Sequence, residues 1–235
     1  MIELQHITKS YEVGGQPIYA LRDTSEHIQS GEYVAIVGPS GSGKSTLLNV
    51  IGCLLRPSEG AYLFNGEDVS QLDDHALSSV RQHQIGFIFQ SFHLVPRLTA
   101  LGNVALPMVF AGIPSSERQI RAQDALAAVG LSDRVHHRPN QLSVGQRQRV
   151  VIARAMIMQP SLLLADEPTG NLDMHSGQQI MELLEALNAK GLTMLVVTHD
   201  PSVARRANRI VVLADGQIVK RLKGKELLPG SMPWS

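Results

Sequence analysis

The sequence predicts an α/β fold: a parallel β-sheet covered by helices, with a smaller antiparallel β subdomain and an inserted α-helical subdomain. Short apolar, β-branched runs alternate with helical patterns along the chain, which is typical of parallel sheets. The pairs Asn65-Gly66 and Asp215-Gly216 lie between apolar residues and predict tight hairpins, and hence antiparallel strands. Residues 91–159 show no strand pattern, so this interval is predicted to be a mainly helical insertion.

The strand predictions rest on two kinds of pattern. Residues 2–7 alternate between apolar and polar positions, whereas the later segments are nearly continuous apolar runs, as expected of strands buried on both faces. The predicted strands are residues 2–7, 33–38, 85–90, 161–166 and 193–199. Apolar residues at helical spacing predict helices at residues 45–53, 73–82, 116–129, 144–158, 176–189 and 202–207.

The charge balance of the chain argues against nucleic acid as a partner. Lysine and arginine together number 21, as do aspartate and glutamate, so the formal net charge is zero. Proteins that bind nucleic acid by neutralising its phosphates normally carry a basic surplus. Cys53 is the single cysteine, which excludes an intrachain disulfide and favours a reducing compartment.

Neither the N-terminal residues nor the uncharged stretch of residues 98–116 predicts membrane insertion. The first residues carry polar and charged side chains where a signal peptide requires an apolar stretch. Residues 98–116 contain no charge, but Gly102, Pro107 and Pro114 interrupt them. We therefore expect a soluble or peripheral protein.

Residues 38–45, with the sequence GPSGSGKS, match the phosphate-binding pattern G-x-x-x-x-G-K-[ST] between a predicted strand and a predicted helix. In that context the glycines let successive N–H groups turn inward, and the helix adds its positive N-terminal end. Lys44 is expected to bridge the β- and γ-phosphates of a nucleotide, and Ser45 to hold Mg²⁺. The core is therefore predicted to be a RecA-like P-loop NTPase. The candidate nucleotide-binding residues here are Gly38, Pro39, Ser40, Gly41, Ser42, Gly43, Lys44, Ser45 and Thr46.

Two adjacent carboxylates follow the apolar strand of residues 161–166. This strand would carry Asp166 to the carboxyl edge of the sheet, where open α/β sheets bind ligands. Asp166 is suited to Mg²⁺ through a water molecule, and Glu167 to polarising an attacking water. We therefore predict Asp166 as a metal-site residue and Glu167 as the general base.

Five further segments resemble the motifs of ATP-binding cassette (ABC) ATPases, in the order of that family. Residues 142–146, LSVGQ, resemble its LSGGQ signature, and residues 171–173, NLD, resemble its D-loop. Gln90 ends a predicted strand as the Q-loop glutamine does, and His199 ends another as the switch histidine does. Tyr11 stands where the family has its adenine-stacking aromatic residue. The resemblance covers residues 1–220.

The resemblance implies a homodimer that closes around two ATP molecules. The signature residues Ser143, Gly145 and Gln146 of one subunit would close over ATP held by the phosphate-binding loop of the other. Asp173 would reach across this dimer. Ser143 and Gln146 also fit a capping box at the start of a helix, which places a second anion-binding helix end in the chain.

In the hydrolytic role that the resemblance implies, four side chains are catalytic. Glu167 would polarise the water, His199 would contact the γ-phosphate and orient that water, and Lys44 would hold the phosphates. Gln90 would sense Mg²⁺ and couple the site to the helical insertion. The implied cofactors are ATP and Mg²⁺, with Ser45, Gln90 and Asp166 at the metal.

Val144 departs from the family pattern, which usually has glycine at this position. A β-branched residue disfavours positive φ but tolerates the backbone of the first turn of a helix. We expect Val144 to weaken dimer closure without abolishing it.

Within the family, stretches such as NQLSVGQRQRV and LLLADEPTGNLD look most like the MacB/LolD-type subgroup. This likeness implies a membrane permease partner and an export or extrusion function at the inner face of the cell membrane, where the chain would be cytoplasmic and peripheral. An importer ATPase is the first alternative. A soluble ATPase that acts on DNA or ribosomes is the second, although such chains usually carry a long coiled coil or two cassettes.

The whole chain, residues 1–235, is predicted to be a single nucleotide-binding domain. Residues 1–90 and 160–222 would form the ATP-binding core, and residues 91–159 the helical signature subdomain. The Pro/Gly/Ser-rich residues 223–235 are predicted to be a flexible tail. The uncharged residues 98–116 would either help to receive the permease or simply contribute a loop and a core helix to the insertion.

Overall fold

A computed structural model describes residues 1–228, 230, 231 and 233 of the protein. These residues form ten strands in two sheets and seven α-helices. The strands are β1 (Ile2–Val13), β2 (Gln16–Ile28), β3 (Tyr33–Val37), β4 (Glu59–Phe64), β5 (Glu67–Asp68), β6 (Ile85–Ile88), β7 (Leu162–Asp166), β8 (Thr193–Val197), β9 (Arg209–Ala214) and β10 (Gln217–Lys223). The helices are α1 (Lys44–Ile51), α2 (Asp74–Gln84), α3 (Ala100–Phe110), α4 (Ser115–Ala128), α5 (Val144–Met156), α6 (Met174–Asn188) and α7 (Pro201–Ala204).

The larger sheet is the predicted parallel core. Its order is β10-β9-β3-β8-β7-β6, and every pair is parallel except the edge pair β10–β9. Every residue of β3 and β8 is buried, as the continuous apolar runs predict. Because the strands run in parallel, their carboxyl ends lie along one edge of the sheet, and the loops after β3, β6, β7 and β8 start there.

The smaller sheet is antiparallel, in the order β2-β1-β4-β5, and the sequence predicted it only in part. β1 extends to Val13, and β2 was not predicted. The turn between them is Gly14-Gly15, with both residues at positive φ. The alternation of β1 and β2 is broken by irregularities in register, including one next to His6, so the strand pattern is weak.

Both predicted hairpins are confirmed. Asn65-Gly66 joins β4 to β5, and Asp215-Gly216 joins β9 to β10. All four turn residues have positive φ, which the type I′ turn requires and which Asn, Asp and Gly adopt at the lowest cost. The second of these turns lies against the nucleotide site.

A buried carboxylate joins the two sheets. Glu26 of β2 is 6% exposed, and its Oε1 accepts from Arg209 Nη1 of β9 at 2.7 Å. Its Oε2 accepts from Arg221 Nε of β10 at 2.9 Å. Arg209 also donates from Nε to Glu32 Oε1 at 2.8 Å. Because each charge has a partner of opposite sign, the burial of Glu26 is compensated.

The inserted segment is helical, as predicted, and residues 98–116 contain the core helix that was one of the two alternatives for them, although no helical spacing predicted its bounds. α3 lies within the uncharged stretch and carries Pro107 in its interior. Thr99 caps its first turn by accepting from Gly102 N at 3.1 Å. The buried amide of Asn103 bonds both the N–H and the C=O of Val95, which fixes the preceding loop on the helix. Because proline normally interrupts a helix, the sequence pattern does not indicate α3, which tertiary contacts stabilise.

The flexible tail was predicted to start at residue 223, which is too early in the chain. β10 continues to Lys223, residues 224–226 form a 3₁₀ turn, and Leu227 is buried in the core. Pro229, Met232, Trp234 and Ser235 lie outside the described residues. Among the helices that the structure describes, none is long and apolar enough to cross a bilayer.

Candidate nucleotide site

The phosphate loop, residues 38–45, is fixed by close backbone contacts with both sheets. A Cβ at Gly38 would lie 2.0 Å from Leu213 O, and one at Gly43 would lie 2.3 Å from Ala20 O. Gly43 also has φ of 100°, which side chains rarely adopt. Gly216 N, in the β9–β10 turn, donates to Ser42 O at 3.0 Å. Glycine is therefore required at these positions by space as well as by conformation.

The loop presents free donors toward the start of α1. The helix begins after Gly43, and no side chain that the structure describes caps it. Within the described part of the chain, the amides of Gly41, Gly43 and Lys44 donate to no protein acceptor, and the buried Ser42 Oγ has no partner. Free N–H groups at a helix N-terminus bind anions, so this loop fits a phosphate group.

Lys44 lies folded over the loop. Its Nζ donates to Gly38 O at 2.9 Å and to Pro39 O at 2.7 Å. Burial lowers the pKa of Lys44, and the charges of Glu167 and Asp166 act in the opposite direction. The ammonium group therefore lies in the field of both predicted carboxylates.

Ser45 and Asp166 meet as predicted. Ser45 Oγ donates to Asp166 Oδ2 at 3.3 Å. Burial raises the pKa of Asp166, while the Ser45 hydrogen bond and the Lys44 charge oppose this shift. A hydroxyl and a carboxylate beside a phosphate loop are the oxygen donors that Mg²⁺ uses together with substrate phosphates. These residues fit a magnesium ion.

Glu167 is held in a specific conformation directly after β7. Its φ of 48° is unusual for a residue other than glycine. Its N–H donates to Val197 O at 2.9 Å. Its Oε1 lies 2.7 Å from His199 Nδ1, and its Oε2 accepts a hydrogen bond from Thr198 Oγ1 at 3.3 Å. The structure therefore brings Glu167 and His199 together, and Thr198 is a partner that the sequence analysis missed.

Gln90 follows β6, the strand next to β7, and lies at the same edge of the sheet as Asp166. Its backbone carbonyl accepts a hydrogen bond from Asn171 Nδ2 at 2.8 Å. The segment that follows Gln90 is thereby joined to the loop that follows Glu167.

The signature residues form the predicted capping box at the start of α5. Gln146 N donates to Ser143 Oγ at 3.2 Å, and Ser143 N donates to Gln146 Oε1 at 2.9 Å. Val144 occupies the first helical position without positive φ, so its β-branched side chain causes no backbone strain there. A Cβ at Gly145 would lie 3.4 Å from Ser176 Oγ, which places the signature beside the start of α6.

Asp173 caps α6 of its own chain. Its Oδ1 accepts from Ser176 N at 2.9 Å, and its Oδ2 accepts from Ser176 Oγ at 2.7 Å. The Ser176 hydrogen bonds lower the pKa of Asp173. The carboxylate is exposed and ionised, so both its local role and a contact with another molecule are chemically available.

Tyr11 lies on β1 opposite Ile18 of β2 and is 41% exposed. Lys9 Nζ lies 5.3 Å from the centre of its ring. Ala20, two residues beyond Ile18, contributes the carbonyl that packs against Gly43. The β1–β2 hairpin therefore contacts the phosphate loop at Ala20 and also carries Tyr11.

Within one chain, the predicted site residues fall into two groups. The phosphate loop, Asp166, Glu167 and His199 converge at the carboxyl edge of the larger sheet. Among the described residues, no hydrogen bond joins residues 143–146 to residues 38–46. The sequence analysis missed two contacts with the loops of the site: Gly216 with Ser42, and the buried Gln148 with Pro168. The partners are distant in sequence, so no local pattern indicates these contacts.

A glycine-lined anion site at the start of α1, a lysine above it, and paired carboxylates at the end of β7 define the site of a P-loop nucleoside triphosphatase. The family model for ABC transporter proteins matches residues 21–170. The chain therefore belongs to the ABC transporter family, and it is an ATPase cassette of that family.

Relatives match nearly the whole chain. The ABC transporter ATP-binding protein YknY of Bacillus subtilis (strain 168) is 52% identical over 225 residues, which are 96% of this chain and 98% of YknY. The macrolide export ATP-binding/permease protein MacB of Salmonella typhi is 50% identical over 226 residues, which cover 96% of this chain and 35% of MacB. The chain thus spans about a third of the MacB length.

Solved structures agree with the fold. The dimeric, post-hydrolysis structure of the cassette MJ0796, bound to ADP and Pi, has a TM-score of 0.88 and is 47% identical to this chain. The match covers 95% of this chain and 98% of MJ0796. The predicted fold class and the predicted family are confirmed.

Proposed function

We propose that this chain binds two ATP molecules between two copies of itself and hydrolyses them to drive a membrane permease. The observation that carries this proposal is that, among the described residues, no hydrogen bond joins the two proposed anion-binding helix ends within one chain. The N-terminal end of α1 is uncapped among the described residues and lies beside Asp166, to which Ser45 is hydrogen-bonded. The N-terminal end of α5, which carries the signature residues, lies beside α6. A second copy completes the site if its Ser143, Gly145 and Gln146 face the phosphate loop of the first. MJ0796, the structural relative, is dimeric.

The residues of the site then have distinct tasks. The phosphate loop and Lys44 hold the phosphates, and Ser45, Asp166 and Gln90 would hold Mg²⁺, which supplies charge neutralisation at the phosphate oxygens. Glu167 accepts a hydrogen bond from the attacking water and polarises it, while His199 contacts the γ-phosphate and orients that water. The 2.7 Å contact between His199 and Glu167 supports these paired roles. Tyr11 stacks on the base, and Asp173 contacts the partner subunit. Positioning and charge stabilisation account for most of the catalysis.

The permease is of the MacB/LolD type in this proposal, and transport is outward. The support is the 50% identity to the cassette part of MacB proteins, which carry their permease in the same chain. Beside the Q-loop, a groove of about 340 Å³ is lined by Phe87, Phe89, His93, Pro107 and Arg154. It offers the permease a partly aromatic surface between the core and the helical subdomain. The cassette would thus lie at the cytoplasmic face of the membrane.

Glu167→Gln tests the hydrolytic role. The variant keeps the shape of the side chain but removes its basicity, so we expect ATP binding to persist and turnover to fall by about 10²-fold or more. A closed dimer should then accumulate with ATP in size-exclusion chromatography. Turnover like that of the wild type would overturn the assignment of Glu167.

Copurification from native membranes tests the transport role. A permease that elutes with the tagged chain supports it, and mass spectrometry of that permease separates an exporter from an importer. Recovery with ribosomes or DNA-bound proteins instead would favour a soluble ATPase of the same family.

A further inference from the structure

Gln148 is a buried polar residue in the first half of α5. It is 2% exposed, and the other buried residues of this helix are Val150, Val151, Ile152 and Ala153. A buried amide is costly unless it is hydrogen-bonded. Gln148 Nε2 donates to Pro168 O at 2.8 Å, which joins the helix that begins at the signature to the loop that begins at Glu167.

Three backbone groups fix the path of the chain at Glu167. Its N–H donates to Val197 O at 2.9 Å, and its C=O accepts from Gly170 N at 3.1 Å. The third group is the C=O of Pro168, which Gln148 binds. The first two contacts lie within the parallel core and the loop itself, so Gln148 is the one of these anchors that comes from the helical subdomain. Because Glu167 has positive φ, it depends on such external contacts to keep its conformation.

We propose that Gln148 is a positioning residue, through which the placement of α5 sets the orientation of the Glu167 carboxylate. This inference rests on the proposed role of Glu167 in hydrolysis. A subunit that closes on the signature end of α5 would move the helix, and the Gln148–Pro168 hydrogen bond transmits that movement to the loop of the catalytic carboxylate.

The same helix also holds the segment after Gln90. Arg154 donates from Nη2 to Phe92 O at 3.0 Å and from Nη1 to His93 O at 2.6 Å. Asn171 Nδ2 in turn bonds Gln90 O at 2.8 Å. α5 is therefore hydrogen-bonded both to the segment after Gln90 and to the loop after Glu167, and these two segments are hydrogen-bonded to each other.

Among the described residues, neither Gln148 nor Arg154 makes a hydrogen bond to the phosphate loop. The loop is anchored by the Gly216–Ser42 hydrogen bond and by the contacts of Gly38 with Leu213. Loss of the Gln148 amide is therefore expected to leave ATP affinity intact and to slow the chemical step. A general loss of packing would change both quantities together.

One substitution removes the donor. Gln148→Met keeps the length and apolar packing of the side chain but cannot donate to the Pro168 carbonyl. We expect it to lower kcat by roughly tenfold, because small misplacements of a catalytic group are costly, while the Kd for ATP stays within about twofold. Gln123→Met is the matched control, since Gln123 is exposed on α4, and its kcat should equal that of the wild type.

A second measurement leaves the core untouched. An ester in place of the peptide between Pro168 and Thr169 weakens the Pro168 carbonyl as an acceptor, and Thr169 N–H has no protein acceptor among the described residues. The ester should lower kcat in the wild type but add nothing to Gln148→Met. Equal and additive losses, or an unchanged kcat in Gln148→Met, would overturn the inference. If Glu167→Gln abolishes turnover while Gln148→Met leaves kcat unchanged, the inference fails and the proposed function stands.

Discussion

The helices α1 and α5 both begin at groups proposed to bind phosphate, yet they begin in different ways. α1 starts after Gly43, and among the described residues it has no side-chain cap and its first N–H groups have no acceptor. α5 starts at Ser143 with a closed capping box, in which Gln146 N and Ser143 N are already bonded to side chains. Unsatisfied N–H groups attract an anion, whereas capped ones must first release their partners. A single chain thus presents an open anion site at α1, and in the proposed dimer the signature end would become a phosphate ligand when a second subunit brings nucleotide to it.

The difference also appears in what supports each helix start. The phosphate loop is braced by backbone atoms of Ala20 and Leu213, which do not move independently of the sheets. The signature end is supported by its own side chains and by contact with α6. The first site is therefore preorganised, and the second is adjustable.

Gly43→Ala should have the largest effect. Its Cβ would clash with Ala20 O, and the residue would keep a left-handed φ, so we expect the free energy of unfolding to fall by about 3 kcal/mol. ATP affinity should fall as well. Urea unfolding and a nucleotide-binding titration measure the two effects.

Gly41→Ala provides the control for that change. Gly41 also has positive φ, but a Cβ there would meet nothing within 4 Å. This variant should lose only about 1 kcal/mol, which is the conformational part of the cost. Equal losses in the two variants would show that the contact with Ala20 does not brace the loop.

Ser143→Ala should have an intermediate effect that divides into two parts. Loss of the cap is expected to cost about 1 kcal/mol of unfolding free energy. Asp73→Ala removes a comparable cap, since Asp73 Oδ1 accepts from Ala76 N at 2.8 Å, and it should cost about as much. Only Ser143→Ala should reduce the ATP-dependent dimer, measured in the Glu167→Gln background. A comparable reduction by Asp73→Ala would assign the effect to stability alone.

Val144→Gly should have the smallest effect. The expectation that valine weakens closure depended on strain, and the helical backbone of Val144 provides none. Glycine should instead cost up to about 1 kcal/mol of helix stability. Turnover should stay within about twofold, a change equivalent to less than 1 kcal/mol in the barrier. A clear increase in turnover would show that the valine side chain itself obstructs the partner subunit.

The parts of the fold that the sequence predicted are those whose signals are local. The phosphate loop is specified by glycines at fixed spacing, the strands of the parallel core by unbroken apolar runs, and the capping box by Ser143 and Gln146 three residues apart. In each case the residues that produce the signal are the residues that form the structure.

The missed parts depend on distant partners. α3 contains Gly102 and Pro107, and its stability comes from the Thr99 cap and from the buried Asn103 that binds the preceding loop. β2 is long but irregular, because its pairing with β1 shifts register. At the site, Gln148 lies 20 residues from Pro168 in the sequence, and nothing in the local pattern distinguishes it from the other polar residues of α5.

The shared Glu26 carboxylate has a consequence for how the protein unfolds. Because Arg209 and Arg221 reach it from the larger sheet, neither sheet can separate without leaving a buried charge uncompensated. The antiparallel hairpin and the parallel core should therefore melt in one calorimetric transition rather than in two. A nucleotide bound at the core would then raise the melting temperature of the hairpin as well. Phosphate binding at the core would therefore also stabilise β1, the strand that carries Tyr11, against unfolding.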